Sequence, residues 1–178
     1  MNPEPMTNGE HDESWRTCYR QLAPKLLLFA RQWVATPADA EDVVQSAFIK
    51  FWRRQPDARP EHYPLLYATV RTTALDLLRG ADRRVRRENN PDAEVRHADD
   101  PFFDSAVEQR DTAAHIETAL RRLPPEQREV LVLRIWSGLT FAEIAATLDE
   151  TINTVSSRYR YALTALRRHM NPHEYERV

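Results

Sequence analysis

"LTFAEIAATLDETINTVSSRYRYAL", Leu139 to Leu163, is helical in pattern on both sides of a single break at Asp149-Glu150-Thr151. Thr140-Phe141-Ala142-Glu143 has the form of a capping box, in which the Thr hydroxyl accepts from the Glu N–H and the Glu side chain reaches back. A cap of this kind contributes about 1 kcal/mol and sets where a short helix begins. Ile144, Ala145 and Leu148 supply the inner face of that helix, and Thr151 is placed to cap the next. In the second helix Ile152, Val155, Tyr159, Ala162, Leu163 and Leu166 share one apolar sector. The outward sector holds Asn153, Ser157, Arg160, Tyr161 and Thr164, flanked by Thr154, Ser156 and Arg158, with no acid after Glu150. Short polar groups and arginines suit a major groove, where they read base edges and phosphates. The same pattern fits an amphipathic helix with a solvated back, so the rest of the chain must decide.

The chain has 178 residues, enough for one medium domain or two small ones. Only 3 are Gly, while Leu, Ala, Arg and Glu recur in periodic runs, which predicts an all-α fold. The longest apolar run, Leu26 to Ala30, is too short to span a bilayer, so no membrane insertion is expected. The start, "MNPEPMTNGEHDESW", is polar and acidic and lacks the form of a secretory signal, which predicts a cytoplasmic protein. A single Cys18 excludes an internal disulfide framework and reads as a small buried residue. The net charge of −2 is unevenly spread: 0 over residues 1–60, +2 over 61–90, −6 over 91–120 and +2 over 121–178. Two mildly basic segments flanking an acidic one remain compatible with nucleic-acid binding, because the local field matters more than the total.

The acidic segment "ENNPDAEVRHADDPFFDS", Glu88 to Ser105, breaks every helical pattern and reads as a flexible linker. Before it lie three predicted helices. The first, about Glu13 to Ala35, places Trp15, Cys18, Tyr19, Leu22, Leu26, Phe29 and Trp33 near one face, with Pro24 expected to kink or split it. The second starts at "TPADAEDVV", with Thr36 as N-cap and a stripe of Ala40, Val43, Val44, Ala47, Phe48 and Phe51. The loop "QPDARPEHYP" ends it. The third, Tyr63 to about Arg87, buries Leu66, Tyr67, Val70, Ala74, Leu77 and Leu78 and turns Thr72, Arg79, Arg83 and Arg86 to the opposite face. Six arginines between Arg71 and Arg87 point to phosphate contact as readily as to a solvated face. After the linker come helices over about Asp111 to Leu123 and Glu126 to Trp136, divided by Pro124-Pro125, and then the opening pair.

Chemistry is hard to find. Of six histidines only His169 and His173 have a spacing that suits a metal, and they straddle Pro172. No Gly-rich phosphate loop or nucleophile motif appears, so neither an enzyme nor a cofactor or metal site is expected.

Leu123 to Met170, "LPPEQREVLVLRIWSGLTFAEIAATLDETINTVSSRYRYALTALRRHM", resembles region four of bacterial RNA polymerase sigma factors. "ATPADAEDVVQSAFIKFWRR", Ala35 to Arg54, with "YPLLYATVRTTALDLLRGADRR", Tyr63 to Arg84, resembles region two. Two motifs in this order on so short a chain are similar to the extracytoplasmic-function (ECF) subfamily. The resemblance implies two small helical domains: a three-helix region 2 over residues 13–88 and a helix–turn–helix region 4 over 111–172. Residues 89–110 would be the linker, 1–12 a disordered start and 173–178 a tail. It implies a monomer when free that joins core polymerase through the β′ clamp helices and the β flap, binds promoter DNA, and is held by an anti-sigma factor. Asp39, Glu41, Asp42, Gln45, Phe48 and Trp52 would dock on the clamp; the acids of that helix also complement its dipole. His62, Tyr63, Arg71, Thr72, Arg79, Arg83 and Arg84 would take the unpaired −10 strand. Asn153, Thr154, Ser156, Ser157, Arg158, Arg160 and Tyr161 would read the −35 duplex.

The chain also departs from this family. Leu65 and Thr72 stand where Trp and Asn are common, which predicts a different −10 preference. Asp149 replaces a turn Gly and Glu150 an apolar residue, and no Lys precedes Ser157-Arg158. Asp tolerates the left-handed backbone better than most residues, so the turn is expected to survive. Two alternatives stay open: a duplex-binding regulator that never joins polymerase, and a helical adaptor that binds protein only.

Overall fold

A computed structural model describes residues 8–34, 36–56, 59–87, 116 and 118–170, the side chains of 8–14, 81, 82 and 84–87 excepted. Among these residues all regular structure is helical. The chain divides into two compact units, Met1–Ala93 and Glu94–Val178.

The first unit contains α1 (Asn8–Ala30), α2 (Pro37–Arg54), a 3-10 turn (Pro60–His62) and α3 (Tyr63–Arg87). Pro24 lies inside α1 without dividing it. It sits on the exposed side, between the buried Leu22, Ala23 and Leu26, whose packing holds the helix together. Thr36 caps α2 through a bond from Asp39 N at 3.1 Å, and Pro37 takes the first turn, where its missing N–H is not needed. Leu26, Phe29, Ala40, Val44, Ala47, Leu66, Val70 and Ala74 are fully buried, which makes the three apolar stripes one core. Phe29 ties it together by edge-on contacts with Trp33 at 4.6 Å and Tyr67 at 5.6 Å. Leu77 departs from the expected stripe and is 40% exposed. Among the described residues of α3 Ala74 is the last fully buried apolar one, with Leu75 and Leu78 half-buried beyond it.

The second unit contains α4 (Pro125–Ile135), α5 (Phe141–Leu148) and α6 (Ile152–Met170), preceded by helical residues 118–121. Leu120, Leu123, Leu131 and Ala162 form a cluster that Trp136, Tyr159, Leu163 and Leu166 close over. Gly138, at φ 75°, lets the chain turn back so that Leu139 N–H reaches Leu133 O at 3.2 Å. The capping box at α5 is complete: Glu143 N donates to Thr140 Oγ1 at 3.2 Å, and Thr140 N donates to Glu143 Oε2 at 2.7 Å. Asp149 takes φ 55° and ψ 48°, so the turn survives the loss of its Gly as expected.

Candidate nucleic-acid interface

In the second unit α6 carries the residues anticipated to read the −35 duplex. Its N-terminus is fixed by Thr151, whose Oγ1 accepts from Thr154 N at 3.1 Å and lies 2.9 Å from Thr154 Oγ1. Val155 and Ala162, both fully buried, pin the opposite side. Asn153, Ser156, Arg160 and Tyr161 of the anticipated set are exposed, whereas Thr154, Ser157 and Arg158 are half-buried. Thr154 completes the cap. Arg158 Nη2 donates to Glu150 Oε1 at 2.8 Å, tying the turn to the second turn of α6. Arg160 lies over the Tyr161 ring at 5.8 Å. Ile152 differs from its place in the apolar sector: it is 52% exposed. As the first residue of α6 it precedes the first turn that packs, so periodicity misassigns it.

In the first unit the anticipated −10 residues fall into two groups. Thr72, Arg79 and Arg83 are exposed on one face of α3, with the exposed Leu65. Thr72 donates its hydroxyl to Ala68 O at 2.9 Å, and Arg79 pairs with Asp76 at 3.1 Å. His62, Tyr63 and Arg71 are half-buried and nearer the core. His62 Nδ1 accepts from Arg59 N at 3.2 Å, which holds the 3-10 turn closed. Tyr63 hydrogen-bonds the buried Cys18; burial first, then the Cys18 contact, pushes the phenol above its ordinary pKa. The Cys18 thiol is likewise pushed up by burial, with the Tyr63 bond acting against it. The side chain of Arg84 lies outside the described residues.

On α2 the residues Glu41, Gln45, Ile49 and Trp52 line one outward stripe, with Asp42 and Phe48 at its borders. Asp39 stands apart from it and is occupied by the cap, accepting from Thr36 Oγ1 at 2.7 Å. Between α1 and α2 lies an apolar cleft of about 470 Å³. Phe48, Ile49 and Trp52 line it from α2, and Trp15 and Tyr19 from α1, where Arg16 and Arg20 add charge. Trp15 stacks on Trp52 at 5.1 Å and donates Nε1–H to Pro56 O at 3.1 Å, which fixes the floor of the cleft.

Sequence comparison assigns residues 18–84 to Sigma-70 region 2 and residues 119–168 to Sigma-70, region 4. An RNA polymerase sigma-E factor of Streptomyces avermitilis is 32% identical over 170 residues, which is 94% of this chain and 88% of that protein. The chain belongs to the ECF sigma factors. An ECF RNA polymerase sigma factor SigE of Mycolicibacterium smegmatis is also 32% identical, across 92% of this chain but 64% of its own length. Among solved structures, the sigma factor RpoE of Bartonella quintana, crystallised with the anti-sigma factor NepR, has a TM-score of 0.70. It is 24% identical and covers 89% of this chain and 98% of its own, a likeness of fold. A sigma factor binds core RNA polymerase and directs promoter-specific initiation, and this chain is one. The regulator and adaptor alternatives leave region 2 without a purpose and are not favoured.

Besides Leu77, exposed apolar residues of this sigma factor that escape sequence reasoning include Ile49 and Ile152. Ile49 had a readable signal, since it falls four residues after Gln45 in the outward stripe of α2. Ile152 had none, because its angle alone places it beside Leu163 and Tyr159.

Proposed function

We propose that this sigma factor divides initiation among three surfaces. The outward stripe of α2 and its apolar cleft receive the β′ clamp helices of core polymerase, with Glu41 and Asp42 meeting basic groups and Trp52 and Ile49 supplying apolar contact. The 3-10 turn and the outer face of α3 take the unpaired −10 strand. There Arg71, Arg79, Arg83 and Arg84 balance phosphates, while His62 and Tyr63 border a splayed base. Tyr63, its hydroxyl occupied by Cys18, offers its ring. The outward face of α6 enters the major groove of the −35 element, with Asn153, Ser156 and Arg160 at base edges and Thr154, Ser157, Arg158 and Tyr161 around them.

The observation that carries this reading is the α6 face. Its exposed side is short-chained at the N-terminal end, arginine-bearing further on and free of acids, and its inner side is locked by Val155 and Ala162. Residues 13–88 and 111–172 act as the two domains, and 89–110 as the linker between them. The protein works in the cytoplasm as a monomer until it meets polymerase, carries out no reaction of its own and needs no cofactor or metal. The described residues contain no helix long and apolar enough to cross a membrane. An anti-sigma factor is its expected regulator, a reading supported by the fold it shares with RpoE bound to NepR and with CnrH bound to the cytosolic domain of CnrY. Contact with the β flap falls to region 4.

In vitro transcription with core polymerase on a promoter library tests the whole. Specific initiation that needs both core and this chain is the expected result. Sequence-specific duplex binding without core, with no stimulated transcription, would overturn it.

A further inference from the structure

Ile152 is 52% exposed, an apolar side chain at the first position of α6. Its exposed neighbours on the first turns are Asn153, Ser156 and Arg160, all polar. The other exposed large apolar residues of α6, Tyr161 and Met170, lie nine residues or more along, and Tyr161 points about 180° away. A protein partner would need a patch of several such residues, whereas the first turns of α6 present one exposed branched side chain, a contact the size of a methyl group.

The N-terminal residues of a recognition helix are the ones that meet base edges. In the major groove thymine presents an apolar C5-methyl beside its O4 acceptor, and no other standard base does so. Ser156, one turn on and about 6 Å along the axis, sits a little under two base-pair steps away at about 3.4 Å each. The backbone at Ile152 is held rigidly: Thr151 bonds Thr154 N at 3.1 Å, and Val155 N donates to Thr151 O at 3.0 Å. β-branching confines the side chain to one preferred rotamer in a helix, so little freedom is lost on contact.

We propose that Ile152 is a specificity residue that packs against the C5-methyl of one thymine in the −35 duplex. This rests on the reading that α6 enters that duplex, and it names what one end of the helix recognises there. Asn153 and Ser156 bond neighbouring base edges, while Ile152 rejects cytosine and purines by offering no hydrogen bond and an apolar surface.

The test uses the full chain with core polymerase. Preferred −35 duplexes are first selected from a synthetic library. Each thymine is then replaced in turn by deoxyuridine, which removes the methyl and keeps O4 and the pairing face. Uridine at one thymine should weaken binding roughly fourfold, the worth of burying about one methylene. Ile152→Ser should lose the same factor on thymine and no longer distinguish the two bases. Ile152→Val, which keeps a branched apolar surface, should retain the discrimination. A wild type blind to every uridine replacement, or a methyl effect that persists in Ile152→Ser, overturns the proposal. Failure of the parent reading looks different: no −35 consensus emerges, Arg160→Ala leaves the selection unchanged, and the proposal falls with it.

Discussion

Glu150→Gln separates stability from affinity at the helix–turn–helix. Glu150 Oε1 lies 2.8 Å from Arg158 Nη2, with the two side chains 32% and 26% exposed. At that separation the bare attraction is about 1.5 kcal/mol in bulk water and about 6 kcal/mol at an effective dielectric of 20. Both groups give up hydration to meet, so measured contributions are smaller: about 0.2–1 kcal/mol for exposed pairs and about 1.5–3 kcal/mol for charge-assisted bonds. Partial burial puts this pair between them, at about 1 kcal/mol. For a unit of this size that corresponds to a fall in Tm of about 4–8 °C, read by circular dichroism. DNA affinity should move the other way. Gln keeps the shape and removes one negative charge, so Arg158 becomes available to a phosphate, and the salt dependence should steepen by about 0.9 in log–log slope. An unchanged Tm together with an unchanged salt slope would refute the idea that Glu150 restrains Arg158. A double-mutant cycle with Arg158→Met measures the coupling directly.

Other expectations follow from single surfaces. Arg160→Ala should weaken binding of the holoenzyme to its −35 duplex by about 1–3 kcal/mol and relax preference at one position, read by competition with altered duplexes. Asp42→Arg reverses an exposed charge beside the α2 stripe and should lower affinity for core polymerase with the circular dichroism spectrum unchanged; equal affinity would remove that surface from the interface. Thr140→Ala deletes the hydroxyl that caps α5 and should destabilise the second unit by about 1 kcal/mol in urea unfolding. The bonds from the Thr140 hydroxyl and then its backbone hold the Glu143 carboxyl below its ordinary pKa, so ionisation favours the folded state. That contribution is complete above the ordinary value of about 4.3 and fades as pH falls through the lower folded value. Urea midpoints of wild type and Glu143→Gln should therefore differ near pH 7 and converge toward about pH 3.

Periodicity made the architecture legible. The stripe from Ala40 to Phe51 is buried throughout, and Thr36, Thr140 and Thr151 all cap the helices they precede. Helix ends were less legible, because a period does not say where the partner helix stops. Leu77 and Ile152 both continue an apolar sector yet stand exposed. Long-range contacts were not legible at all. The Tyr63 bond to Cys18, the stacking of Trp15 on Trp52 and the pairing of Arg158 with Glu150 depend on how neighbouring segments meet, which spacing along one helix does not encode.

The two acids at the turn have a consequence for how α6 reads DNA. Asp149 and Glu150 immediately precede the end of α6 where the helix dipole is positive and phosphates would approach. Glu150 is partly neutralised by Arg158, yet that pairing also withholds an arginine from the backbone. No Lys precedes Ser157 either, so on the proposed docking of α6 attraction to phosphate at this end is doubly reduced, which leaves discrimination to the short side chains and Ile152. Phosphate contacts supply nearly all of nonspecific binding, whereas base contacts supply discrimination. Region 4 of this protein should therefore bind random duplex weakly, even at low salt, while keeping its preference among −35 sequences. Restoring a Lys by Ser156→Lys should raise affinity for random and selected duplexes together, narrowing the ratio between them. A rise confined to the selected duplex would show that the turn acids do not set the balance.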